Sequence, residues 1–184
     1  MPGRCRIKTL TNIGRESHTY LYHIITRWDT LADWTFFTQG SVSKDHFPFP
    51  IPLYLLPKKR IKLMMNLWSK GISFVDEKGG YLQHTGKWKR EKISGMMRPS
   101  SFTFQDWWEQ YVRMEKPSSY SSWKWSHGAL FSISRDLIRQ HDKKYYMELL
   151  SSLPSHRNPE EGHYFERSWY YIFYQGQMPQ SEIS

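Results

Sequence analysis

Two stretches of this 184-residue chain gather residue types that could do chemistry. The first runs Asn12-Ile13-Gly14-Arg15-Glu16-Ser17-His18-Thr19-Tyr20. A glycine turn feeding a helix leaves free backbone N–H groups at a positive dipole end, and Arg15 adds a full charge. That combination suits a phosphate; a plain chain turn with Arg15 in solvent is the competing reading. The second stretch runs Asn158-Pro159-Glu160-Glu161-Gly162-His163-Tyr164-Phe165-Glu166-Arg167-Ser168-Trp169. Its three carboxylates and one histidine could supply a general base, and His163 and Glu166, three apart, share a helix face. Capping carboxylates and a Glu166–Arg167 surface pair would explain the same residues.

Weaker signals lie elsewhere. Trp123-Lys124-Trp125-Ser126-His127-Gly128 could stack a sugar ring or a base, or could be an ordinary hydrophobic rim. Oxygen ligands for a hard cation could come from Asp33, Asp45, Asp76 and Glu77, near expected strand ends. The sequence has no HExxH, CxxC, DxD, Walker A or GxGxxG motif, and no nucleophile elbow.

These residues need elements to position them. Alternation over residues 6–10 predicts a short strand, followed by a helix with Leu21, Ile24, Ile25 and Trp28 on one face and Asn12 as its N-cap. Thr35 to Thr38 reads as a strand, and the proline-rich 47–57 as an extended loop. Pro57 then opens a helix with Ile61, Met64, Met65 and Trp68 inward, and Ile72 to Val75 follows as a strand. Residues 76–101 read as loop or weak hairpin. Thr103 and Asp106 form a capping box before a helix. A strand over 129–134 leads to helices over 135–140 and 143–153. A last helix carries Asn158 as N-cap and Pro159 at its first position, with Phe165, Trp169, Ile172 and Phe173 buried. Strands alternating with helices predict a mixed α/β domain with a mostly parallel sheet. It spans 1–176, with a frayed tail over 177–184.

Composition bounds the partners. Lys+Arg number 26 against 17 Asp+Glu, a net charge of +9, which suits nucleic acid, an acidic surface or a phosphorylated ligand. Aromatic residues make up 17% of the chain, enough to bury a core rather than stay disordered. The single Cys5 precludes an intrachain disulfide framework. No apolar run reaches membrane-span length and no signal peptide is evident, so a non-secreted, cytoplasmic protein is expected.

The stretches LTNIGRESHTYLYHIITRWDTLADWTFFTQGS (10–41) and GALFSISRDLIRQHDKKYYMELLSSLPSHRNPEEGHYFERSWYYIF (128–173) resemble a family of glycosyltransferase-like proteins of fungi, algae and large DNA viruses. The resemblance implies a GT-A-like fold, a UDP-linked sugar donor, a Mn²⁺ or Mg²⁺ ion and a glycan or glycoprotein acceptor. Viral capsid glycosylation in an infected host cell is one such setting. It places Asn12, Arg15, Glu16 and Thr19 in an NxGRExxTY motif beside the donor, with Gln39 and Ser41 after the strand. Asp33 falls where the metal-binding acid is expected. Gly128 opens a strand facing the acceptor, with Trp123, Trp125 and His127 lining that side. Glu160, His163 and Glu166 lie in the PExGHYFERSW motif, where Glu160 or Glu166 would deprotonate the acceptor. The family's usual DxD is absent, and only Met1 to Cys5 precede the first matched strand. A fold lacking part of the N-terminal strand–helix–strand is therefore expected. A glycan-binding remnant without turnover and a basic nucleic-acid-binding module are the alternatives, nucleic acid being the disfavoured partner.

Overall fold

A computed structural model describes residues 8–39, 69–70, 84, 86–114, 123–125 and 127–174. The elements run in chain order as α1 (Arg15–Thr26), a 3-10 turn (Trp28–Thr30), β1 (Trp34–Phe37), β2 (Ser69–Lys70) and α2 (Gly86–Ile93). Then come α3 (Phe104–Trp107), continued by a π-helical turn (Trp108–Val112), β3 (Lys124–Trp125), a 3-10 turn (His127–Ala129) and β4 (Phe131–Ser134). The chain closes with α4 (Arg135–Ile138), α5 (Lys143–Ser151) and α6 (Glu161–Phe173).

α6 is the axis of the molecule. Eleven of its thirteen residues are buried, polar ones included, so it is enclosed on every side rather than laid on a surface. Its C-terminal half carries Trp169, Ile172 and Phe173 into a cluster with Tyr20 and Leu21 of α1, Phe37 of β1 and Phe131 of β4. Its middle presents Tyr164 and Phe165 to Phe104 and Trp107 of α3. The Thr103 hydroxyl caps α3, accepting from Asp106 N–H at 3.0 Å, as the capping box predicts. Tyr20 ties α1 across the core, its hydroxyl donating to Ala129 O at 3.1 Å. No helix among the described residues is long and apolar enough to cross a membrane.

The sheet corrects the sequence reading. A mostly parallel, GT-A-like sheet is not what forms: β1 pairs with β4 antiparallel, from Trp34 opposite Ser134 to Phe37 opposite Phe131, and β2 pairs with β3 antiparallel. Among the described residues, parallel pairing is limited to one isolated bridge, Arg98 to Pro159. The physical reason lies in the faces. Parallel sheets are covered on both sides, whereas β1 keeps Trp34 41% exposed and buries only Phe37. β4 is buried on both faces, Phe131, Ser132 and Ile133 alike, so the open side is that of β1. The long stretch of chain between β1 and β4 permits either sense, so helix–strand alternation alone could not decide it.

Other boundaries shift. Lys8 to Leu10 form no strand, and Ser69–Lys70, read as the end of the helix opened by Pro57, form β2. Residues 6 and 7, 47–57, the rest of that helix, the strand at 72–75 and the tail lie outside the described residues. Residues 86–93, read as loop, form α2. None of its residues is buried, so no apolar stripe betrays it.

Candidate functional site

The site starts from two left-handed residues in a row. Gly14 (φ +63°) caps α1 and Arg15 (φ +55°) opens it. Asn12 is not the N-cap; α1 has no side-chain cap there. At Gly14 a side chain is blocked twice over, since a Cβ would stand 2.9 Å from His18 Cβ and 3.0 Å from a Leu153 methyl. A bulky residue at positive φ is costly and persists only where its surroundings hold it. The holding contacts of Arg15 are specific. Its Nη1 donates to His163 Nε2 at 2.7 Å and to Asn158 Oδ1 at 3.5 Å. Its guanidinium carbon lies 4.6 Å from the Trp88 ring centroid. The arginine stem runs over Gly162, where a Cβ would come within 2.8 Å of Arg15 Cδ. Gly162 therefore clears the path by which α6 and Arg15 meet.

That contact fixes the state of His163. Arginine can only donate, so Nε2 accepts and the ring proton of the neutral imidazole sits on Nδ1. Burial holds His163 well below the usual histidine range, with the nearby charges of Arg15 and Arg167 and the ring of His84 pushing the same way. The ring is fully enclosed, edge-on to Trp88 at 4.7 Å and to His84 at 5.1 Å. Nδ1 lies 3.9 Å from Glu166 Oε2, beyond hydrogen-bond reach. His163 is thus a neutral acceptor that orients Arg15.

The carboxylates divide sharply. Glu160 is buried and saturated: Oε1 faces His84 Nε2 at 2.9 Å and Lys92 Nζ at 2.6 Å, and Oε2 accepts from Ser100 N–H at 3.0 Å. Burial alone would raise its pKa, but these three donors and the Lys92 charge outweigh that and hold it at about 2. Glu166 accepts from Gly128 N–H at 2.9 Å and from Arg167 Nη1 at 3.2 Å. Glu16 is the opposite case. Its Oε1 has no hydrogen-bond partner among the described residues, and Oε2 faces Arg15 Nε only at 3.6 Å. Burial raises its pKa against the pull of Arg15, and the charge of Glu166 adds to the rise.

Arg15 and Glu16 border one cleft of about 490 Å³. Asn12, Arg15, Glu16, Thr19 and Gln39 form one side; Lys87, Trp88 and Glu91 of α2 and the loop residues Arg157 and Asn158 form the other. A smaller cavity of about 270 Å³ adjoins it, sharing Asn12, Arg15 and Thr19. Five of the six donor-side residues therefore meet in one place; Ser41 lies outside the described residues.

The remaining expectations disperse. Asp33 does not line the cleft; its carboxylate is 82% exposed and paired with Arg135 at 2.8 Å, so it does not fit the metal role. Trp123 is core, not a sugar platform: it is 2% exposed and packs on Phe104 and Trp108, its Nε1–H donating to Arg167 O at 2.8 Å. Trp125 lies half-buried with the Arg167 guanidinium 5.4 Å from its ring centroid. Gly128 spends its N–H on Glu166, and the His127 side chain lies outside what is described. Glu160 and Glu166 are held by donors, and neither lines the cleft. Asn158 does not cap α6, which begins at Glu161; its amide reaches Glu91 at 2.9 Å instead. The site residues that sequence reasoning missed are His84, Lys87, Trp88, Glu91, Lys92 and Arg157. A Lys87–Glu91 pair four apart was the one available hint of the helix bearing four of them.

Fold and site together define a small mixed α/β protein with a polar, cation-bearing cleft at the start of α1. The chain belongs to the family described as a protein of unknown function (DUF3431), which matches residues 3–182. No curated protein and no solved structure matches the chain.

Proposed function

We propose that this protein is a glycosyltransferase that moves a sugar from a nucleoside-diphosphate donor, UDP-linked in the first instance, to a glycan hydroxyl. One observation carries the reading. The residues that the family resemblance assigns to the donor, Asn12, Arg15, Glu16, Thr19 and Gln39, line a single cleft with Lys87, Arg157 and the Trp88 ring. Three cations suit a diphosphate, and the indole offers an aromatic surface for a base or sugar.

For an inverting displacement, the acceptor oxygen bonds to the anomeric carbon as the bond from that carbon to the diphosphate oxygen breaks. The bonding pair leaves on the diphosphate, whose charge Arg15, Lys87 and Arg157 balance. The acceptor proton passes to the Glu16 carboxylate, a cleft acid whose proton affinity burial raises. Glu16 thus replaces Glu160 and Glu166 as the base, because those two are already committed to donors.

The test is turnover of labelled UDP-sugars with a glycan acceptor, with and without Mn²⁺. Wild type should release UDP, and Glu16→Gln should lose that release while still binding UDP. Unchanged turnover in Glu16→Gln would remove the base, and a wild type inert toward every UDP-sugar would remove the reading.

A further inference from the structure

α2 has two faces with different tasks. Its inner face is committed to the site: Trp88 packs on Arg15 and His163, Glu91 accepts from Asn158, and Lys92 bonds Glu160. Its outer face carries Lys89, Arg90 and Ile93, one helical turn apart and all exposed. Ile93 is 77% exposed, and Met96, just past the helix end, is 60% exposed. Gly95 (φ +75°) turns the chain between them, and the next residue, Met97, is fully buried, so the turn is anchored while Met96 projects. Arg98 adds a further exposed cation.

Cations surrounding two projecting aliphatic side chains have a specific chemical complement. Nucleic acid would match the charge but takes aliphatic side chains only where its bases are unstacked, and an acidic protein surface takes them only through a pocket shaped to Ile93 and Met96. An anionic phospholipid surface matches both, taking cations at its headgroups and aliphatic tips below them. We infer that the outer face of α2 docks on anionic membrane surfaces through Lys89, Arg90, Ile93 and Met96. None of these four residues lines the cleft, so the inference stands apart from the donor reading. Because α2 also carries Lys87 and Trp88, docking would hold the cleft beside the lipid surface.

The test is flotation of the full chain with two kinds of vesicle, pure phosphatidylcholine and phosphatidylcholine with about 30% phosphatidylserine. Binding is expected to the anionic vesicles alone and to fall as salt rises. Ile93→Ser with Met96→Ser should weaken it about tenfold, and Lys89→Glu with Arg90→Glu at least as much. Melting curves confirm that these exposed changes leave the fold intact. A single-stranded oligonucleotide serves as the competing probe. Absence of binding to anionic vesicles, or binding indifferent to the Ile93 and Met96 changes, would overturn the inference. So would an oligonucleotide bound more tightly than the vesicles by wild type and serine variant alike.

Discussion

Glu16 and Glu160 stand at the two ends of one chain of contacts, running Glu16–Arg15–His163–His84–Glu160. Glu160 has a donor on every side and is held ionised down to about pH 2. Glu16 has one oxygen with no donor among the described residues, and a raised pKa. Two carboxylates of like chemistry are thus pushed apart by their surroundings, the pattern that separates structural from reactive acids. Glu160 clamps α2 and residue 100 onto the start of α6. Glu16 borders the cleft, and burial raises its proton affinity.

The comparison breaks first at Glu16. Glu16→Gln should lower turnover by roughly 10²–10⁴-fold, the usual worth of a general base, with the fold intact. Glu160→Gln should do the reverse. It leaves Lys92 and His84 short of an anion and should cost about 2–3 kcal/mol, discounted because Lys92 keeps 37% of its surface in solvent. Calorimetric melting would show this as a fall of roughly 5–10 °C in Tm. Equal stability losses in the two variants would erase the distinction.

The pH dependence carries the same contrast with opposite signs. A lowered carboxyl pKa gives Glu160 a stability contribution present above pH 4.5, its unfolded value, and lost as pH falls toward 2. The raised pKa of Glu16 favours the folded state only at low pH, and that contribution is gone once pH rises through its folded value. Denaturant titrations should therefore show Glu160→Gln converging on wild type as pH drops from 4.5 to 2. Glu16→Gln should be more stable than wild type at pH 7 and lose that advantage in acid. His163 adds its own window. Its lowered pKa means the unfolded chain binds the extra proton below pH 6.5, at about 1.4 kcal/mol per pH unit. His163→Gln should flatten that slope.

Smaller effects sharpen the picture. Gly162→Ala puts a Cβ 2.8 Å from Arg15 Cδ, and the arginine must move. Stability should fall by about 1–2 kcal/mol, and UDP affinity measured by titration should fall with it. Asp33→Ala removes an exposed pair outside the cleft and should change stability by about 0–1 kcal/mol, with UDP binding untouched. A large binding loss there would return Asp33 to the site.

How much of this was legible in the sequence follows from what local pattern encodes. α1, α3 and α5 announced themselves through apolar spacing, because burial on one face writes a period, and β1 and β4 through short apolar runs. α6, enclosed on every side, still carries Phe165, Trp169, Ile172 and Phe173 at helical spacing. α2 wrote none, since its partners are charges and one ring from distant segments. The sense of the β1–β4 pairing is a tertiary fact with no local signature. At the site, the NxGRExxTY residues were readable as a set, and they do share one cleft. The roles of the carboxylates were not. Glu160 read as a base or a capping carboxylate and Glu16 as a donor-side residue, because the sequence does not show that His84, Lys92 and Ser100 close on Glu160. Trp123 likewise read as a surface ring until Phe104 and Trp108 packed on it.

The central claim is that the cleft over Arg15 receives a nucleoside diphosphate. Calorimetric titration of UDP, with and without Mn²⁺, into wild type, Arg15→Lys and Arg15→Ala tests it most directly. Saturable binding by wild type, weakened in Arg15→Lys and at least about tenfold weaker in Arg15→Ala, is the predicted result. No binding of UDP by wild type, or equal binding by all three, would contradict it.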